Sequence, residues 1–243
     1  MLRKVFAGVR MIFVCSFMAT YLIIVGTPVL TYCRIIGNPH LAIFLTKVLT
    51  RMCLFVAGVQ LEIIGQEKLD PKRGCVYVGN HRSHVDSASI FVACPADARF
   101  LVKKEVFRIP MVSFALRTMG MIEVDRSNPD AASRSIDRAV AEIQSGTSII
   151  MFPEGTRSRE PHVLPFKKGA FVLAIKSQAP IVPFTVIGAD AALPPDTILL
   201  YGGPVKLIFH DAIETKGMDL EDRQELLEKT QKIVEAAFAG IAD

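Results

Sequence analysis

Apolar positions divide this chain into two unlike parts. Residues 11–30 run without a single charge, and Arg3, Lys4 and Arg10 precede them. About 20 such residues match the hydrocarbon thickness of a bilayer, so length permits a transmembrane helix. A signal peptide would have a shorter apolar region and a small-residue cleavage site; the segment has neither and is expected to be retained. Pro28 and the stretch 32–39 predict a break. A second apolar segment, 41–64, carries Lys47 and Arg51. Those cations cost too much for a comfortable span, whereas a helix lying in the interface can snorkel them. Residues 1–64 are therefore expected to form a membrane-associated helical hairpin that inserts in, or lies on, one leaflet. A span by the first helix is the competing arrangement, because basic residues flank both ends.

From Gly74 onward, short apolar runs alternate with helical periodicity, which predicts an α/β domain over residues 65–243. Strands are expected at 75–78, 99–102, 121–124, 148–152, 181–187 and 205–209. Asn128 is a good N-cap with Pro129 at the first helical position. Ala132, Ile136, Ala139, Val140 and Ile143 share one face of the helix that follows, and Gly146 ends it. A last amphipathic helix is expected from about 219 to 239, using Leu220, Leu227, Val234 and Phe238. The expected fold is a mixed, mostly parallel sheet flanked by helices, with an N-terminal apolar two-helix motif.

Composition narrows the partners. Of 243 residues, 51% are hydrophobic, none is Trp, and the net charge is only +4. No basic tract is interleaved with aromatics, so nucleic acid is not an expected partner. A mildly basic, apolar protein suits an anionic membrane surface or a phosphorylated substrate. The five cysteines, Cys15, Cys33, Cys53, Cys75 and Cys94, are widely spaced and read as reduced, structural thiols facing the cytosol.

Polar clusters follow several expected strands: 80–86, 103–104, 125–126 and 154–157. In open α/β sheets the ligand crevice lies beyond the carboxyl ends of the strands, so these clusters are candidates to converge. In the first, His81 and Asp86 suit general-base catalysis, the carboxylate fixing the tautomer of a neutral imidazole. Five residues along a regular helix is a rotation of about 140°, so the two would not share a face inside one. They meet only if His81 lies in the strand-to-helix turn and Asp86 in the first helical turn. The plainer reading is a helix capped by Asn80 or Ser83 beside an incidental histidine. No Gly-x-Ser-x-Gly elbow supplies a nucleophile, so the base would activate a substrate hydroxyl. His81, His84 and Asp86 also offer three metal ligands within six residues, but without the spacing of a helical His-Glu-x-x-His pair. In the 154–157 cluster, Gly155 permits a tight turn and Arg157 offers a bidentate fork for phosphate. Glu154 would hold that arginine or bind an acceptor hydroxyl. Lys167 and Lys168 precede a helix whose N-terminal amides add anion affinity.

Taken in order, these segments resemble the glycerolipid acyltransferases of the 1-acylglycerol-3-phosphate acyltransferase family. Asn80-His81-x4-Asp86 is similar to that family's first block, and Lys103-Lys104-Glu105 through Pro110 to 120–126 to its second. Phe152-Pro153-Glu154-Gly155-Thr156-Arg157-Ser158 resembles the third, and 179–184 the fourth. The likeness covers roughly residues 65–217 and extends to the apolar N terminus. It implies that His81 is the general base and Asp86 its orienting partner. Arg126, Glu154, Gly155, Thr156 and Arg157, with Lys104, would bind the acceptor, lysophosphatidic acid, and Pro183 would help shape the acyl-donor region. The donor would be acyl-CoA or acyl-ACP, and attack direct, with no acyl-enzyme, metal or other cofactor. A monomer at the membrane, its catalytic domain on the cytoplasmic face, is expected.

Glu123, His84 and Val85 depart from the residues the family usually places in those blocks, which bears on acceptor preference. Another lysophospholipid, glycerol 3-phosphate or a lyso-ornithine lipid is the alternative acceptor. Outside the class, the rivals are a metal-dependent hydrolase on His81, His84 and Asp86 and a non-enzymatic binder of anionic lipid.

Overall fold

A computed structural model describes residues 2–95, 97–125 and 127–240. The first helix runs Leu2–Ile36, as α1 (Leu2–Tyr21), one wider π turn (Leu22–Gly26) and α2 (Thr27–Ile36). Pro28 does not break it. The amide and hydroxyl of Thr27 both reach back to the Leu22 carbonyl, so backbone pairing resumes around the proline ring through the π turn. The break falls at Gly37, whose φ of 73° suits glycine alone, before α3 (His40–Val56) returns along the first helix.

The second apolar segment is not all helix. α3 stops at Val56, and Val59–Ile64 is strand β1 at the sheet's edge, so the sheet begins inside the stretch assigned to the hairpin. Periodicity does not separate a buried helix from a buried strand in one apolar run. Nor do the cations of α3 snorkel. Lys47 Nζ lies 2.7 Å from the Cys94 carbonyl and Arg51 Nη2 lies 3.3 Å from that of Val92, at the C-terminal end of α4 (His84–Ala93). Those exposed carbonyls form the negative pole of the helix and attract cations. Arg10 likewise turns inward to the Tyr201 carbonyl, 2.6 Å away. The basic residues of the hairpin dock it onto the domain.

The remaining strands are β2 (Val76–Gly79), β3 (Ala98–Lys103), β4 (Ile122–Val124), β5 (Ser148–Met151), β6 (Ile181–Ile187) and β7 (Gly203–Phe209). Among the described residues they form a seven-stranded sheet in the order β1-β7-β6-β2-β5-β3-β4. Every neighbouring pair is parallel except β6–β7, so the sheet is mixed and mostly parallel, as expected. Helix α5 (Pro110–Thr118) precedes β4, and α6 (Pro129–Gln144) starts where Asn128 caps the Ala131 amide at 3.1 Å. α7 (Gly169–Ser177), α8 (Ala189–Ala192) and α9 (Arg223–Ala239) complete the helices; α9 begins four residues later than expected, and Leu220 is exposed before it.

Strand periodicity sorts the core into two faces. Tyr77 and Ile150 point to the side of the hairpin, α4 and α8, with Val85, Ile90 and Ala189. Val76, Val78 and Ile149 point to the side of α6, α7 and α9, with Ala139, Phe171 and Val234. Helices therefore cover both faces, and β2, flanked by β5 and β6, lies at the centre. The carboxyl ends of β2, β3, β4 and β5 share one edge, which brings the polar clusters together there.

At the tip of β2 there is no room for a side chain. A Cβ on Gly79 would lie 2.4 Å from the Phe184 carbonyl and 2.5 Å from its ring. Gly79→Ala is expected to destabilise the fold by about 1–3 kcal/mol through overpacking, read as a lowered midpoint in thermal unfolding of the detergent-solubilised protein.

Candidate active site

The turn after β2 is built by helix capping. Ser83 is the N-cap of α4: its hydroxyl accepts the Val85 amide at 3.1 Å, while Asp86, three residues on, reaches back to the Ser83 amide at 2.6 Å. The same oxygen, Asp86 Oδ2, accepts the Arg82 amide at 2.6 Å and faces His81 Nδ1 at 3.1 Å. His81 thus lies in the strand-to-helix turn and Asp86 in the first helical turn. Cap and histidine are parts of one arrangement, not alternatives. Asp86 is fully buried, and His81 keeps 17% of its side chain exposed, enough to meet a substrate. With Nδ1–H donating to the carboxylate, Nε2 keeps its lone pair for a proton.

Three further elements hold the imidazole. Its ring stacks on Phe152 at 4.1 Å, and Phe152 meets Phe184 edge-on at 5.7 Å. The Asn80 amide pairs with both backbone groups of Val186 at 2.8 Å, tying the turn to β6. Glu154 Oε1 accepts the His81 amide at 2.6 Å and Oε2 the Leu164 amide at 3.0 Å. Glu154 therefore does not hold Arg157 in this structure; it staples the strap after β5 to the catalytic turn. Burial pushes its carboxyl up, against the two amides that favour the ionised form.

The cations stand around this turn. Arg157 is half-buried and donates to the Pro195 carbonyl at 2.9 Å. Gly155 turns the strap with φ 76°, and a Cβ there would lie 2.7 Å from Lys167 Nζ, so Lys167 lies over this turn. Thr156 is exposed beside it. Lys104, after β3, is paired with Asp125 at 2.6 Å, and with Ser127 it holds that carboxyl down to about 2. Arg126 lies outside the described residues. Pro183 is buried within β6 opposite Val78, one residue before Phe184.

Sequence reasoning did not single out Phe152 and Phe184 as ring supports, Arg82 or Asp190. Phe152 was legible in principle, as the last residue of the expected strand 148–152, directly before the Pro-Glu-Gly turn; β5 itself ends one residue earlier. Burial pushes the thiols of Cys75 and Cys94 up, so neither is an available nucleophile. His84, at the first position of α4, keeps an exposed edge, and partial desolvation and then the Arg157 cation hold it below its ordinary range. It stands at the rim of an apolar cavity of about 420 Å3 between the hairpin and α4, lined by Met18, Leu49, Phe91 and Leu193.

Known proteins resemble this chain in sequence and in fold. The acyltransferase family model matches residues 60–187, more than half of the chain. The chain belongs to the acyltransferase family. It is 35% identical over 147 residues to the chloroplastic 1-acyl-sn-glycerol-3-phosphate acyltransferase of Brassica napus, covering 60% of this chain and 42% of that one. With the 1-acyl-sn-glycerol-3-phosphate acyltransferase of Limnanthes douglasii it shares 35% over 165 residues, 68% of this chain and 58% of that one. The chain thus spans between two fifths and three fifths of the length of these curated relatives. The fold is that of the crystal structure of a 1-acyl-sn-glycerophosphate acyltransferase, PlsC, from Thermotoga maritima. The TM-score is 0.84 at 23% identity, over 99% of this chain and 98% of that one.

Two imidazoles held below their ordinary value make the stability of this family member depend on pH. His84 and His210 are both held below 6.5, chiefly by burial; His210 Nε2 lies 2.9 Å from the Thr185 hydroxyl. As pH falls the unfolded chain binds protons first, so stability present above the unfolded value is lost below it. Urea unfolding between about pH 7 and pH 5.5 is expected to show falling stability, with a shallower fall in His210→Asn.

Proposed function

We propose that this acyltransferase moves an acyl chain from acyl-CoA or acyl-ACP to the sn-2 hydroxyl of lysophosphatidic acid, giving phosphatidic acid. The observation that carries the reading is the His81–Asp86 pair at 3.1 Å, at the sheet edge that also presents Lys104 and the Arg157 strap. His81 Nε2 takes the hydroxyl proton as the oxygen attacks the thioester carbonyl. Asp86 stabilises the imidazolium that forms. When the tetrahedral intermediate collapses, the C–S bond breaks and the imidazolium returns the proton to the departing thiolate. The thioester itself supplies the activation, so the reaction needs no other cofactor. Arg126, Arg157 and Lys104 bind the acceptor's phosphate; a phosphate reaching Lys104 competes with Asp125 for it. Gly155 and Thr156 form the turn that presents this site, and Pro183 seats Phe184 beneath the donor region.

The acceptor arrives from a bilayer. Phe6, Phe13, Phe44 and Phe55 are exposed on the hairpin, which gives it a lipid-facing surface. The first half of its long helix is committed to the domain through Arg10, and Met11, Val14, Cys15 and Met18 face α4 across the apolar cavity. A perpendicular span would drag that polar docking into hydrocarbon, at a cost of several kcal/mol for each unsatisfied group. We therefore read the hairpin as lying in one leaflet, on the cytoplasmic side where the donors are made.

A panel of lyso-lipids with labelled acyl-CoA and acyl-ACP tests the acceptor. Lysophosphatidic acid is expected to be turned over best, and His81→Ala to lose at least about 10³-fold in kcat while still binding lipid. Strong turnover of a phosphate-free acceptor alone would overturn the assignment. For the membrane reading, Phe6, Phe13 and Phe55 changed together to Asp is expected to abolish flotation with phosphatidylglycerol vesicles; undiminished flotation refutes it.

A further inference from the structure

Arg82 follows the general base directly, yet its side chain points away from the reaction. It is 9% exposed. Its Nε and Nη2 both bond the same oxygen, Asp190 Oδ2, at 2.8 Å, at the start of α8. Nη1 donates to the Glu160 carbonyl on the strap. The guanidinium also covers the ring of Phe238, 5.2 Å from its centroid, in the last turn of α9. Three segments far apart in sequence therefore meet on one planar cation, and a guanidinium held on several sides has little freedom to move.

These segments frame the site. The strap carries Arg157 and donates the Ser158 amide to the His81 carbonyl at 2.9 Å. The segment after α8 accepts Arg157 through Pro195 at 2.9 Å and Ser83 through Leu193 at 2.7 Å. Meanwhile the Arg82 amide is one of the two that hold Asp86 Oδ2. Arg82 thus connects the backbone that places His81 to both segments that place Arg157.

We propose that Arg82, paired with Asp190 and covering Phe238, is a positioning residue that sets the separation between the general base and the phosphate-binding arginine. Lysine at this position keeps the charge but cannot bond Asp190 and the strap together. The effect belongs to the acceptor, which must touch both His81 and Arg157, and not to the acyl donor. The last turn of α9 becomes part of the active-site frame although it touches no reacting atom.

This inference rests on the transferase reading, so its test has one arm that needs no substrate. In Arg82→Lys, kcat is expected to fall about 10²-fold, as for a small misplacement of reacting groups. KM for lysophosphatidic acid should rise, while KM for the acyl donor and the unfolding temperature stay near wild type. Asp190→Asn should act in the same direction. Because the two residues form one contact, the double variant should be no worse than the weaker single. In the substrate-free protein, the downfield Nδ1 proton of His81, assigned by its loss in His81→Asn, should shift or broaden in both single variants. Wild-type kcat and acceptor KM in Arg82→Lys, or an unmoved His81 proton, overturn the proposal. If Arg82→Lys does not fold, Asp190→Asn alone decides by the same readings. Should the wild-type protein turn over no lysophosphatidic acid, the acceptor reading falls and the His81 proton still decides this one.

Discussion

Asp86 Oδ2 accepts the amides of Arg82 and Ser83, faces His81 Nδ1, and is fully buried while doing so. A carboxylate taken out of water needs its lost hydration replaced, and here the backbone amides do so at Oδ2 alone, while Oδ1 is buried without a hydrogen-bond partner. The same bonds define the shape of the turn. Capping the helix and orienting the base are thus one interaction, so neither can be altered without the other. It also places negative charge at the positive pole of α4. At the opposite pole, Lys47 and Arg51 from the hairpin meet the carbonyls of Cys94 and Val92. Helix α4 is therefore held at both ends by charges of the right sign, and it connects the apolar hairpin to the turn that carries His81.

Glu154 solves the same problem differently. It is 2% exposed and gives one oxygen to the His81 amide and the other to Leu164. Where Asp86 concentrates its bonds on one atom and orients an imidazole, Glu154 spreads them and joins two chain segments. Burial raises it because two neutral amides offset only part of the desolvation. Its value lies in geometry: it fixes the strap that presents Arg157 relative to the base. Arg82 and Asp190 extend that network outward, so His81 and Arg157 are joined by a ring of bonds through 81, 82, 154, 158, 190 and 195.

Much of this was legible in the sequence. The strand at 181–187 was placed residue for residue, and the helix after Asn128 began where the cap and Pro129 predict. The His81–Asp86 spacing already required a turn followed by a first helical turn, because five residues inside a helix do not align. What could not be read has a common cause. Strand β1 was hidden because Val59–Ile64 continues an apolar run, and only pairing with β7 decides its conformation. Pro28 was read as a break because the compensating π turn depends on Thr27 reaching Leu22. Lys47, Arg51 and Arg10 were read against the membrane, when their partners are carbonyls 47, 41 and 191 residues away. The Phe152 stack and the Arg82–Asp190 pair are equally non-local. Local signals carry elements and their boundaries; they do not carry the partners of long side chains.

The acceptor proposed above joins a phosphate, a hydroxyl and an aliphatic chain that prefer different phases. This architecture separates them by direction from His81. The cations lie along the sheet edge toward β5 and β3, beside a second, mostly apolar cavity lined by Leu101, Val124, Met151 and Phe152. The apolar cavity opens the other way, between the hairpin and α4, with His84 at its rim. At that junction a charged side chain would stop the chain, and a large aliphatic one would fill the rim. His84 is polar, exposed at its outer edge, and favoured in its neutral form by partial desolvation and the Arg157 cation, so it lines the cavity without bringing charge into it.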